Sequence, residues 1–168
     1  HDNPPRVWVG ALSHRLIVTM SFVAVILTLA ARMLGPSDLY DQTQPKTVSY
    51  TTDIVANSHW LLPIERGEFP ATKPPLYNWF AAPFVALIGT SSELAHKFPS
   101  VLAFLTCWVV IVRLGRGLDD DPRGTLGWLA GIAFAVNYTM FKRAWLARPD
   151  MLLTLWRLLG WVSVTSLL

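Results

Sequence analysis

The sequence predicts an all-α membrane protein with about four transmembrane helices and an external loop containing short interfacial helices. Three observations predict it. Apolar residues make up 52% of the 168 residues and include eight tryptophans, more than a soluble domain of this length carries. Four apolar runs recur along the chain, at 16–34, 101–114, 124–141 and 151–168. Between the first two lies a long, mostly polar stretch, 35–97, punctuated by prolines. The net charge of +3 is too small and too scattered for a nucleic-acid binder. Cys107 is the single cysteine, so no internal disulfide forms and the redox compartment stays open.

Residues 1–15, with Pro4-Pro5, read as an N-terminal tail, and 16–168 as one transmembrane domain. The chain opens on His1 and closes inside an apolar run, as expected of a piece of a longer protein. Run 16–34 is long enough to cross a bilayer, with Arg32 snorkelling to the far surface. Arg32 and bulky Met33-Leu34 stand where a signal-peptide cleavage site needs small residues. Run 101–114 extends backward through 94–99. Run 124–141 carries Gly127, Ala130, Gly131, Ala133 and Ala135, which favour close helix packing. Run 151–168 is interrupted by Arg157. Segment 76–89 is apolar but short and contains Pro83. It reads as a helix lying in the interface, with Trp79, Phe80 and Phe84 at head-group depth.

With four spans, loop 35–97 and turn 142–150 face the outside together. Arg6, Arg15, Arg113, Arg116 and Arg123 are then cytoplasmic, while Lys142, Arg143 and Arg148 are external, against the positive-inside trend. Either that cluster binds an anion or it is a tolerated deviation.

The loop holds most of the polar candidates. Lys73 abuts Pro74-Pro75, which fix the backbone and bar Lys73 and Pro74 from a regular helix. An ammonium on a stiff turn at the membrane surface suits an anionic head group, above all a lipid-linked phosphate; the alternative is a snorkelling lysine beside a helix start. Residues 47–57 read as a short helix with Val48, Thr51, Ile54 and Val55 on one side, ended by His59-Trp60-Leu61-Leu62-Pro63. Glu65, Arg66, Gly67 and Glu68 form a turn before Pro70. Asp38 and Asp41 follow the first span. Each is a candidate general base or a helix N-cap, and for Asp38 the cap is the favoured reading. Asp150, in Arg148-Pro149-Asp150, is a second candidate base or the N-cap of the fourth span. Arg157 lies seven residues on, along the same helix face, or pairs with a carboxylate elsewhere. His59 and His96 read as structural, and Asp119-Asp120-Asp121 as a solvated loop rather than a metal site. No glycine-rich phosphate loop, zinc-ligand spacing or Ser-His-Asp signature is present.

Taken in order, Asp41-Gln42-Thr43-Gln44-Pro45-Lys46, His59-Trp60-Leu61-Leu62-Pro63, Thr72-Lys73-Pro74-Pro75-Leu76-Tyr77 and Leu146-Ala147-Arg148-Pro149-Asp150-Met151-Leu152 resemble the N-terminal part of GT-C integral-membrane glycosyltransferases. The chain is most similar to the bacterial branch that includes the lipid A aminoarabinose transferase and relatives of the protein O-mannosyltransferases. The resemblance runs from about Arg15 onward, and family members are several times longer.

It implies a multi-pass protein of the bacterial inner membrane. It implies transfer of a sugar from a polyprenyl-phosphate donor to a lipid or protein acceptor on the extracytoplasmic face. The family's acidic pair falls on Thr43-Gln44 here, and neither residue serves as a base. An acidic residue before the loop lysine, assigned to metal in some members, is Thr72, which leaves a divalent metal ion open. Carried over, the catalytic candidates are Asp41 and Asp150, and the donor-phosphate candidates are Lys73, Lys46 and Arg148. Three readings follow: an active divergent transferase, an inactive lipid-phosphate binder, or a non-enzymatic transport or assembly module. Polar residues gathered in a loop and at helix ends, rather than at the bilayer midplane, argue against a transporter.

Overall fold

The computed structural model of the chain describes residues 6–40, 43–65 and 67–165. Among these, the helices are α1 (Arg6–Met33), α2 (Gln44–Asn57), α3 (Leu76–Ile88), α4 (Glu93–Gly117), α5 (Thr125–Val136), α6 (Tyr138–Arg143) and α7 (Asp150–Thr165). A small antiparallel hairpin, β1 (Ile64–Glu65) and β2 (Phe69–Pro70), pairs Ile64 with Pro70 and Glu65 with Phe69. Gly67, at φ +78°, makes its turn.

Two helices are long and apolar enough to cross a membrane: α1 over Ser13–Met33 and α4 over Glu93–Gly117. The third apolar run does not form one long helix. Asn137 leaves the helical region and caps a new turn, its side chain accepting from the amides of Thr139 (3.0 Å) and Met140 (3.3 Å). The result is α5, at 12 residues about 18 Å long, followed by short α6. Helix α7 has 16 described residues, about 24 Å. The described residues therefore hold two helices of spanning length and composition, where the sequence suggests four.

Helices α1, α4, α5 and α7 pack side by side around Phe104, Cys107, Trp108 and Met151. α1 and α5 run in the same direction: His14 meets Thr125 near one end, and Thr28 Oγ1 donates to Ala135 O (3.0 Å) near the other. α4 runs against both. Its Phe104 ring stacks on Phe134, and its Trp108 indole donates to Ser21 Oγ (3.2 Å). Farther along α4, Gly115 meets Gly127, where a Cβ on Gly127 would collide with the Val112 carbonyl. The end of α1, the start of α4, the end of α5 and the start of α7 therefore gather at one end of the bundle.

A buried charge cluster joins them there. Lys97, in the second turn of α4, donates to Asp38 and to Glu93 (2.5 Å) and lies over the Trp145 ring. Arg32, in the last turn of α1, donates to the other oxygen of Asp38 (2.7 Å) and lies over Phe141. Asp38 is thus an ion-pair hub and not the helix cap that its position suggests. Burial pushes its carboxyl up, but the hydrogen bonds and charges of Lys97 and Arg32 outweigh this and hold it below its ordinary value.

Between α1 and α4 the chain builds a cap. Helix α2 begins earlier than its apolar spacing suggests, because Pro45 suits the first turn and Gln44 is drawn inward. Asn78 of α3 donates to Thr47 O and Thr51 Oγ1, both at 2.8 Å, and fixes α3 to α2. Helix α3 does not run along α4. Tyr77 and Phe84, seven residues and about 10 Å apart along α3, both contact α4 within residues 96–100. The axis of α3 therefore lies across the start of α4. Phe84 is half-buried against Phe98, whereas Trp79 and Phe80 are exposed.

Candidate functional site

Between α6 and α7, segment 144–149 makes a tight return whose residues 144–147 are buried. Three side chains from distant elements hold its backbone. Gln44, itself fully buried, accepts from the Ala147 amide (2.9 Å) and donates to Asp38 O (2.8 Å). Ser100 Oγ lies 2.5 Å from Leu146 O and 3.3 Å from Arg148 O. The Tyr77 hydroxyl lies 2.8 Å from His96 O and 3.2 Å from Leu146 O. Burial pushes the Tyr77 phenol far above its ordinary value, so it stays a neutral donor. Motifs scattered along the sequence thus meet: the glutamine after Thr43 and the tyrosine after Pro74-Pro75 both grip the segment before Asp150.

This return walls a cleft of about 250 Å³ lined by Tyr138, Thr139, Lys142, Arg143, Leu146, Arg148 and Asp150. Three cations face one carboxylate, so the cleft attracts anions. Lys142 and Arg143 close the last turn of α6, where the helix dipole favours positive charge. Arg148 Nε lies 3.1 Å from Asp150 Oδ2. The contact is Coulombic and lacks hydrogen-bond geometry: Oδ2 is buried and has no hydrogen-bond partner among the described residues. A carboxylate oxygen shielded from water and ion-paired without a hydrogen bond keeps acceptor capacity for a ligand's donor.

The structure brings together some of the sequence candidates and not others. Arg148 and Asp150 share the cleft with Lys142 and Arg143, the cations that the sequence leaves open as either an anion-binding cluster or a tolerated topological deviation. Lys46 lies outside it and pairs with Glu65 at 3.5 Å. Lys73 is exposed on the turn before α3 and does not line the cleft; the preceding amide, Thr72 N, lies 3.4 Å from the Tyr50 hydroxyl. Asp41 lies outside the described residues. Arg157 is exposed on α7, away from Asp150.

Among the described residues no three His, Cys, Asp or Glu side chains converge to hold a metal ion. The cleft, with one carboxylate among three cations, does not fit a divalent cation. Run 119–121 serves α5 instead: Asp119 accepts from the amides of Asp121 and Leu126, and Asp121 from the Arg123 amide and the Thr125 hydroxyl. The His59 ring contacts Asp53 at 3.0 Å, and His96 Nε2 bonds Thr90 O at 2.9 Å.

The chain matches no protein-family model, no curated protein and no solved structure.

Proposed function

We propose that the full-length protein transfers a sugar from a polyprenyl-phosphate donor to a lipid or protein acceptor on the extracytoplasmic face of the bacterial inner membrane. The observation that carries this reading is the buried Oδ2 of Asp150, ion-paired with Arg148 but without a hydrogen-bond partner among the described residues, in a cleft shared with Lys142 and Arg143. Glycosyl transfer needs both halves of that arrangement. The acceptor oxygen bonds to the anomeric carbon while the bond from that carbon to the phosphate oxygen breaks. The phosphate leaves with the electron pair and is held by the cations. Asp150 takes the acceptor's proton. The cleft volume suits a phosphate and part of a sugar, leaving the polyprenyl chain in the membrane.

In this account α1 and α4 span, the α5–α6 unit and α7 complete a four-span layout, and the cap over the gathered helix ends faces outward. Lys73 and Lys46, on the cap outside the cleft, stay candidate donor-phosphate contacts, and Asp41 is a second candidate base. A photoreactive polyprenyl phosphate should crosslink to 138–150 in full-length protein, and Arg143→Ala with Arg148→Ala should reduce that crosslinking at least tenfold. Undiminished crosslinking in the double variant would sink the assignment.

One observation favours a second reading, an inactive binder of lipid phosphate. The resemblance puts an acidic pair at Thr43-Gln44, and Gln44 here is wholly occupied in holding Asp38 and Ala147. Donor binding without transfer by the full-length protein would select that reading.

A further inference from the structure

Loop 60–62 exposes its apolar side chains while its backbone is firmly held. On one side His59 contacts Asp53 Oδ2 at 3.0 Å, and on the other the Ile64 amide donates to the same oxygen at 2.7 Å. Asn57 donates to the second oxygen of Asp53 (2.7 Å), and Pro63 is buried. Between these anchors the Trp79 indole N–H of α3 donates to Trp60 O at 2.6 Å. Yet Leu61 is 82% and Leu62 60% exposed. Burying a leucine is favourable and displaying one is not, so a fixed loop that displays two beside a tryptophan has an apolar destination.

Helix α3 identifies that destination. Its buried face, Tyr77, Asn78, Ala81, Ala82 and Val85, packs on the cap and on α4. Its exposed positions, 76, 79, 80, 83 and 86–88, carry no polar residue. α3 then passes through turn 89–92 directly into α4, a helix of spanning length, so this apolar face ends at the level where α4 begins. Near the loop the polar groups turn inward: Asn78 bonds α2, and the Trp79 N–H is consumed by Trp60 O while the indole ring stays exposed. An outward surface that is apolar and internally hydrogen-bonded suits lipid, and tryptophan concentrates at the head-group level.

We infer that loop 60–62 is a membrane-inserting wedge, latched to the lipid-facing side of α3 and seated in the head-group region of the bilayer. The inference rests on the interfacial reading of α3 and on no part of the transfer chemistry. It gives the cap a second attachment to the bilayer besides α3.

Site-directed spin labelling tests it. In a Cys107→Ala background, Leu61→Cys, Leu62→Cys, Leu87→Cys and Asp120→Cys are labelled in the full chain, reconstituted in vesicles of phosphatidylcholine with a minority of phosphatidylglycerol. All four positions are exposed, so labelling leaves the packing intact. Labels at 61, 62 and 87 should collide preferentially with dissolved oxygen, and the label at 120 with a water-soluble nickel chelate. If 87 behaves as lipid-exposed and 61 and 62 as water-exposed, the wedge is overturned and the α3 reading stands. If all three behave as water-exposed, both fall. Labels at 61 and 62 that are immobilised and shielded from both agents reveal a protein contact and also overturn the wedge.

Discussion

Lys97 of α4 is fully buried and donates to Asp38, which in turn accepts from Arg32 at the end of α1. This relationship sets the end of one membrane-length helix level with the start of the other. Removing the cation leaves Asp38 and Glu93 facing each other in a partly buried site. Lys97→Met should therefore destabilise the protein by roughly 3–5 kcal/mol, the usual cost of breaking a buried ion pair. Thermal unfolding in detergent checks this, and a midpoint within error of wild type contradicts it.

The same cluster predicts a pH dependence. The Asp38 carboxyl in the folded state lies below its ordinary value of 3.8, and Asp53 is held low likewise by Asn57, the Ile64 amide and His59, which outweigh burial. A depressed folded value means that the unfolded chain binds protons first as pH falls. The stabilisation is complete above about pH 4 and is lost as pH drops through the folded values. Unfolding midpoints measured from neutral pH to pH 3 should fall below pH 4, and Asp38→Asn should flatten that fall.

Gln44 joins the cap to the cleft. Gln44→Ala removes the acceptor of the buried Ala147 amide and the donor to Asp38 O. The variant should lose about 1–3 kcal/mol of stability, because a buried donor is left unpaired. It should also weaken donor crosslinking at 138–150 more than Lys46→Ala does, since Lys46 lies outside the cleft. Hydrogen exchange would show faster exchange at Ala147 in the variant; unchanged exchange there would contradict the role given to Gln44.

Topology follows from the gathered helix ends. If α1 and α4 both span, everything between them lies on one face, and the Gln44–Ala147 bond brings segment 144–149 to the same face. Lys73→Cys and Arg148→Cys, each made in the Cys107→Ala background, should both react with a membrane-impermeant maleimide from the outside of intact cells. Reaction of only one before permeabilisation rules the layout out.

Much of this was legible in the sequence, for physical reasons. Apolar runs announce helices, so α1, α4, α5 and α7 were readable, and the short Pro83-bearing segment was readable as the helix α3. The break at Asn137 was not, because a single capping side chain overrode an otherwise unbroken run of helix-compatible residues. Arg148 and Asp150 were legible as neighbouring candidates because a cation and a carboxylate flank a proline at a helix start, and the structure sets both on one cleft. Lys142 and Arg143 were visible as a cationic cluster that binds an anion or is a tolerated deviation, but not as neighbours of Asp150, since that depends on how α6 turns back. The partnership of Asp38 with Lys97 spans 59 residues and left no local signal. The i,i+4 pair Glu93 and Lys97 was the one hint that Lys97 is engaged.

The central claim is that Asp150 acts as a base beside an anion-holding cleft. Sugar transfer from a polyprenyl-phosphate donor by full-length protein carrying Asp150→Asn measures it most directly, with donor crosslinking and unfolding midpoint recorded on the same preparation. Asp150→Asn should lower the rate by roughly 10²–10⁴-fold, the contribution of one general base, with crosslinking and midpoint retained. Transfer at the wild-type rate by that folded, donor-binding variant would contradict it.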